Sequence, residues 1–319
     1  MAVYTDVGDE ELNAFIAGYD IGELLSFRGI AEGVENTNYM VDTTKDRFIL
    51  TLYEKRVAEE DLPFFLRLLD FLSENGIRCP VPIADSEGHE LKALAGRPAA
   101  LFSFLEGIWV RRPRVPHCAA VGSALAQLHL VSASFPSSRS NALSIEGWRP
   151  LVAACLADAD SVIDGLSHEI ATEMDIIERE WPRHLPQGVI HADLFPDNVF
   201  FIGDELSGLI DFYFACTDML AYDVAICINA WCFEADQSFN VTKARALLRG
   251  YQAVRPFTTE EFEAIPILTR GAAFRFLLTR LYDWLNRQEG ALVAPKDPLE
   301  YWRKLRFHRT QSHPRDYAL

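Results

Sequence analysis

The run His191-Ala192-Asp193-Leu194-Phe195-Pro196-Asp197-Asn198, followed by Ile210-Asp211-Phe212, constrains this chain more than any other stretch. Asn198 stands five positions after Asp193, and Asp211 eighteen positions after it. Gly188-Val189-Ile190 precedes the run and Val199-Phe200-Phe201-Ile202 follows it. Leu206 to Phe212 surrounds the second Asp, and all three flanks are apolar enough to be strands. Gly203-Asp204-Glu205 supplies a turn between the last two. Three polar side chains are thereby predicted on loops of a rigid hairpin scaffold, where working residues concentrate.

Those three side chains suit phosphoryl transfer, which asks for positioning and charge neutralisation more than for covalent chemistry. Asp193 can accept or orient the proton of an attacking hydroxyl. The Asn198 carbonyl and the Asp211 carboxylate, completed by phosphate oxygens and water, are ligands that octahedral Mg²⁺ accepts. Asp-x-x-x-x-Asn alone is ordinary turn composition. Its specificity comes from the company of His191, Leu194, Pro196, an apolar strand and a second Asp on the next strand. His191 reads as a brace for the loop rather than a catalyst, and Asp197 as a solvated carboxylate.

The spacing is that of the kinase signatures H-R-D-L-x-x-x-N and D-F-G. Phe195 stands where protein kinases usually carry Lys, and the run resembles the aminoglycoside phosphotransferase and choline kinase group. Asp218-Met219-Leu220-Ala221-Tyr222-Asp223-Val224-Ala225 is similar to the D-x-x-x-Y-D-hydrophobic-A stretch of that group. As bare chemistry, Asp218 can cap a helix and Asp223 lies near that helix's positive end, where a structural role is the favoured reading. A closer resemblance is to the homoserine kinases of bacterial threonine biosynthesis. It is carried by Gly33-Val34-Glu35-Asn36-Thr37-Asn38-Tyr39, by His191 to Phe201, and by Ile210 to Cys216 continuing to Asn229-Ala230-Trp231-Cys232.

The resemblance implies an α+β, protein kinase-like two-lobed fold. A small N-lobe with an antiparallel sheet would cover residues 1–103, and a larger, mostly helical C-lobe residues 104–319. It also implies ATP and Mg²⁺ as cofactors, L-homoserine as small-molecule acceptor, and O-phospho-L-homoserine as product. Residues 32–38 take the place of a nucleotide-covering loop, with Gly33, Thr37 and Asn38 as phosphate-side candidates. Ser103 to Leu105 would read adenine through backbone groups. Thr51 occupies the place of the usual strand lysine, so Lys55 or Arg56 are candidates to replace it, and Glu59 or Glu60 could be the helix partner. For the acceptor, Tyr213 and Trp231 could line a pocket, while Arg275 and Arg280 could clamp its carboxylate. Packing or an internal ion pair is the competing role for each.

Apolar periodicity predicts helices at 9–20, 58–75, 117–133, 148–160 and 166–184. Helical or mixed segments follow at 221–235, 240–254, 258–288 and 298–307. Strands are expected at 22–31, 39–43 and 48–53. A formal net charge of −16 over 319 residues argues against nucleic acid or an anionic membrane surface as partner. No run approaches the roughly 18 apolar residues of a membrane span. The six cysteines lie in apolar contexts without C-x-x-C, as in a reducing cytoplasm. With no basic, apolar leader at the N-terminus, a cytoplasmic protein is expected. Oligomeric state is left open. Two alternatives stand beside homoserine: another acceptor, such as choline, ethanolamine or an aminoglycoside, and a non-catalytic nucleotide-binding regulator.

Overall fold

A computed structural model describes residues 4–30, 36–54, 58–287 and 295–317. The chain divides into two compact units, one of residues 1–107 with 207–213, the other of residues 108–206 with 214–319.

The first unit contains α1 (Asp9–Ile16), β1 (Leu24–Gly29), β2 (Thr37–Thr43), β3 (Arg47–Leu52), α2 (Leu62–Glu74), β4 (Pro82–Ile83), β5 (Lys92–Leu94) and β6 (Arg97–Ser103). Its antiparallel sheet runs β1-β2-β3-β6-β4, with β5 paired to β6. Alternate residues of β2 are buried, the period of a half-covered strand. Leu12, Phe15 and Ile16 of α1 pack with Val41, Leu50 and Leu101 of the sheet. In β3, register Thr51↔Asn38 and Thr51↔Ala100 places Thr51 between two neighbouring strands.

The second unit contains β7 (Ile108–Trp109), α3 (Val115–Ser132), α4 (Ile145–Cys155), α5 (Leu166–Glu180), β8 (Gln187–Ile190) and β9 (Val199–Ile202). β10 (Glu205–Leu209) follows, its residues from Ser207 on counted with the first unit. The chain then continues as β11 (Cys216–Met219), α6 (Leu220–Trp231), α7 (Val241–Val254), α8 (Thr259–Leu285) and α9 (Pro298–His308). Trp148, Ile170, Met174, Leu268, Phe274 and Leu277 form part of one core among these helices. Helices α3 and α7 approach at glycines: a Cβ on Gly122 would collide with the Leu247 carbonyl, and one on Gly250 with that of Ala119. Among the described residues, no helix is long and apolar enough to cross a membrane.

The α+β class is as expected, while several element boundaries move for local reasons. α5 stops at Glu180 rather than 184 because Trp181 precedes Pro182, which forces extended backbone, ψ 125° at Trp181. α2 begins at Leu62 rather than 58, after a 3-10 turn at Glu59–Asp61 and with a proline in its first turn. The strand expected through Phe212 ends at Leu209, since Asp211 has φ 63° and Phe212–Phe214 form a 3-10 turn.

Candidate active site

In the second unit, antiparallel pairing of β8 with β11, register Ile190↔Cys216, fixes the start of the loop 191–198. Ala192 takes the left-handed backbone, φ 62°, an uncommon state for a residue with a Cβ. Its neighbours hold it there. Buried Asp223 of α6 accepts from the His191 amide at 2.7 Å with Oδ2 and from the Ala192 amide at 2.9 Å with Oδ1. On the other face of the same peptide run, Arg275 of α8 donates from Nη1 to the Ala192 carbonyl at 2.6 Å. Asp193 follows directly, and its amide bonds His191 Nδ1 at 3.3 Å.

Asp223 is completely buried, and His129 Nε2 lies 3.2 Å from its Oδ2 while His129 Nδ1 meets the Tyr251 hydroxyl at 2.8 Å. Burial works to raise the Asp223 carboxyl's pKa. The bonds and charge from His129 and His191 outweigh it, and the carboxyl sits below the ordinary carboxylate range. A buried carboxylate with that many donors anchors backbone, as the structural reading of Asp223 anticipated.

Asn198 closes a 3-10 turn at Pro196–Asn198. Its Nδ2 donates to the Asp193 carbonyl at 2.8 Å and to Asp193 Oδ2 at 3.3 Å. With the amide nitrogen facing Asp193, the carbonyl oxygen is directed elsewhere, the orientation a hard cation requires. The loop is supported beneath by Trp231, whose Nε1 donates to the Leu194 carbonyl at 2.7 Å and whose ring is 1% exposed.

Arg275 is 2% exposed, its guanidinium 4.4 Å from the Phe276 ring centroid and 5.7 Å from that of Phe214. Arg280 keeps 11% of its side chain exposed; it pairs with Glu300 Oε2 at 2.7 Å and lies over the Tyr301 ring at 4.4 Å. Lys304 joins the same carboxylate, bonding Glu300 Oε1 at 2.7 Å. Burial works against the charge on Glu300, yet the two cations hold its carboxyl down at about 2. Edge-to-face and tilted ring contacts run from Phe195 in the loop to Phe276, centroids 5.0 Å apart, and on to Tyr301 at 5.1 Å. This cluster of Arg280, Glu300 and Tyr301 is therefore continuous with the loop of Asp193.

In the first unit, Asp211 carries the second left-handed backbone, φ 63°. Tyr213, two residues on, is half-buried, with its hydroxyl 3.2 Å from that of Tyr53. Burial, foremost, raises the pKa of the Tyr213 phenol, which stays protonated. Thr51 donates to Asn38 Oδ1 at 2.7 Å. Thr37 is fully buried; its hydroxyl accepts from the Tyr4 amide at 2.9 Å and donates to Glu54 Oε1 at 2.9 Å. Ser103 exchanges bonds with Val81: its amide donates to the Val81 carbonyl, and its hydroxyl accepts from the Val81 amide, both at 2.9 Å. Leu105 packs over Gly208. Gly33, Lys55 and Arg56 lie outside the described residues. Glu59 and Glu60 are exposed.

The contacts of Arg275 and Trp231 were not foreseen. Both partners are main-chain carbonyls, and a carbonyl leaves no mark on side-chain spacing.

Residues 26–257 match the phosphotransferase enzyme family. The chain belongs to that family, which makes ATP the phosphoryl donor and a divalent cation its usual companion. Two relatives, from Rhodopseudomonas palustris and Rhizobium meliloti, are 63% and 60% identical to it. Each alignment spans 100% of this chain and 98% of the relative, and both relatives are named homoserine kinase. Within the phosphotransferases, the chain thus falls among the homoserine kinases. Solved structures share the kinase-like phosphotransferase fold at low identity. A microcompartment-associated aminopropanol kinase superposes with TM-score 0.74 at 16% identity, covering 95% of this chain and 97% of that one. A choline kinase from Cryptosporidium parvum Iowa II gives 0.70 at 15%, covering 95% and 94%.

Proposed function

We propose that this phosphotransferase moves the γ-phosphoryl group of ATP to the side-chain hydroxyl of L-homoserine, giving O-phospho-L-homoserine and ADP in threonine biosynthesis. The observation that carries this reading is the 60–63% identity, over the whole chain, to relatives named for that activity. The residues supply the chemistry the reaction needs. Asp193 orients the acceptor hydroxyl and takes its proton as the O–P bond forms. Its aim is set by the backbone of Ala192, gripped from both sides by Asp223 and Arg275. Asn198 and Asp211 would supply the oxygen ligands for Mg²⁺, which when bound would contribute neutralisation of phosphate charge.

Gly33 and Asn38 are the phosphate-side candidates of the nucleotide site in this reading, and backbone groups from Ser103 to Leu105 its adenine side; Thr37, expected beside them, is fully buried with its hydroxyl committed to the Tyr4 amide and Glu54, and serves the fold instead. Arg280 is the better of the two arginines for the acceptor carboxylate. It keeps 11% of its side chain exposed beside Tyr301, and a charge-assisted pair at that position would fix the zwitterion's orientation. Arg275, with its donor on the Ala192 carbonyl, supports the loop, and Trp231 does the same through Leu194. All six cysteines are free and buried, consistent with a reducing cytoplasm.

The test is ADP release with Mg²⁺-ATP across L-homoserine, choline, ethanolamine and an aminoglycoside. L-Homoserine is expected to give a kcat/KM at least 100-fold above the rest. A preference for choline or ethanolamine, or no turnover with any acceptor, would overturn the assignment.

A further inference from the structure

Kinases commonly brace their nucleotide site with an ion pair between a strand lysine and a glutamate on the neighbouring helix. Here the strand position holds Thr51, which is buried and spends its hydroxyl on Asn38 Oδ1 at 2.7 Å. On α2, the side chain directed at the same neighbourhood is Phe65, 1% exposed. Between strand and helix stands Tyr213. Its ring meets Tyr53 edge-on with centroids 5.4 Å apart and Phe65 edge-on at 5.7 Å, and its hydroxyl lies 3.2 Å from that of Tyr53. Edge-to-face pairs fix ring orientation as well as adding attraction. Tyr213 is also the centre of the 3-10 turn that follows Asp211, a residue held at φ 63°. Left-handed backbone at a non-glycine residue persists where surrounding contacts over-determine it.

We infer that Tyr53, Tyr213 and Phe65 form an aromatic brace that takes over the work of the lysine–glutamate pair, with Tyr213 a positioning residue that sets Asp211 for its metal. The inference rests on the reading of Asp211 as a metal ligand. It differs from an acceptor-lining role for Tyr213, because the tyrosine hydroxyl is committed to Tyr53 and the ring to Phe65.

The test measures Mn²⁺ binding to the enzyme–ADP complex by electron paramagnetic resonance, with steady-state kinetics on the same preparations. Tyr213→Phe and Tyr53→Phe remove one hydroxyl each and keep every ring; Tyr213→Leu removes the ring. The Mn²⁺ dissociation constant is expected to rise about threefold for each hydroxyl variant and at least tenfold for Tyr213→Leu, with the KM for L-homoserine within twofold of wild type. Mn²⁺ affinity within twofold of wild type in both Tyr213 variants, or a change confined to the KM for L-homoserine, overturns the brace. Should Tyr213→Leu not fold, the two hydroxyl variants decide alone. Failure of the underlying reading looks different: Asp211→Asn would then bind Mn²⁺ as tightly as wild type.

Discussion

Ala192 and Asp211 share an unusual backbone, φ 62° and 63°, yet the surroundings that hold them differ in kind. In the second unit, the strained peptide before Asp193 is held by buried charge. Asp223 accepts both flanking amides, Arg275 donates to the carbonyl, and His129 and Tyr251 complete the network. In the first unit, the left-handed residue is Asp211, the carboxylate proposed to hold the metal, and the turn that follows it carries a ring cluster with two hydroxyls. Removing one member of a buried charged network leaves its partners desolvated and unpaired, whereas removing one member of an aromatic cluster costs mainly its own contacts. The two units should therefore respond to substitution on different scales.

The largest effect is expected at Asp223. Asp223→Ala strips two amides and His129 of their acceptor, and should lower unfolding free energy by about 3–5 kcal/mol while abolishing turnover. Denaturant titration monitored by tryptophan fluorescence reads this; a loss under 1 kcal/mol would break the contrast between the units. Arg275→Met should cost about 2–3 kcal/mol, because the Ala192 carbonyl is left unpaired beneath the loop. Its kcat should fall at least tenfold with the KM for L-homoserine within threefold. A raised KM with intact kcat would instead make Arg275 the carboxylate clamp.

Acid should weaken the second unit through a neighbouring network. His308 is fully buried, with Nδ1 2.8 Å from the Tyr317 hydroxyl and Nε2 3.0 Å from Asn229 Oδ1. Burial, aided by the charges of Lys304 and Arg270, pushes its pKa down to about 3. The unfolded chain takes up this proton near pH 6.5, so the stabilising contribution is whole above that pH and declines as pH falls from about 6.5 toward 3. By pH 5 the loss from this one group is about 2 kcal/mol. Comparing denaturation at pH 7 and pH 5 for wild type and His308→Gln isolates it, since the variant should lose less by that amount.

The smallest effect belongs to the first unit. Tyr53→Phe keeps the ring contacts and should change stability by no more than about 1 kcal/mol. A loss as large as that of Arg275→Met would mean that the tyrosine pair behaves like the buried charges, and the comparison would fail.

How much of this was legible beforehand follows from what a sequence can encode. The loop with Asp193 and Asn198 was legible because short-range spacing between strand-like flanks survives folding unchanged. The α+β class was legible because apolar periodicity switches from two in β2 to helical beyond Gly107. Ends of elements were less so: α5 halts at Trp181 because of Pro182, a cue present in the sequence but overridden by the run of helical periodicity. Residue type and place in the chain point Arg275 and Trp231 at the acceptor. Their contacts with the carbonyls of Ala192 and Leu194 depend on tertiary packing across 83 and 37 positions of chain. Likewise, nothing local to Thr37 announces that its hydroxyl is taken up by the amide of Tyr4 and by Glu54.

The central claim is that Asp193, held on its braced loop, aims the acceptor hydroxyl at the transferring phosphoryl group. Its most direct test is the initial rate at which Asp193→Asn forms O-phospho-L-homoserine, followed by phosphorus NMR at saturating ATP, Mg²⁺ and L-homoserine. The account predicts a kcat at least ~10²-fold below wild type, the scale of lost general-base catalysis. A rate equal to that of the wild type would contradict it.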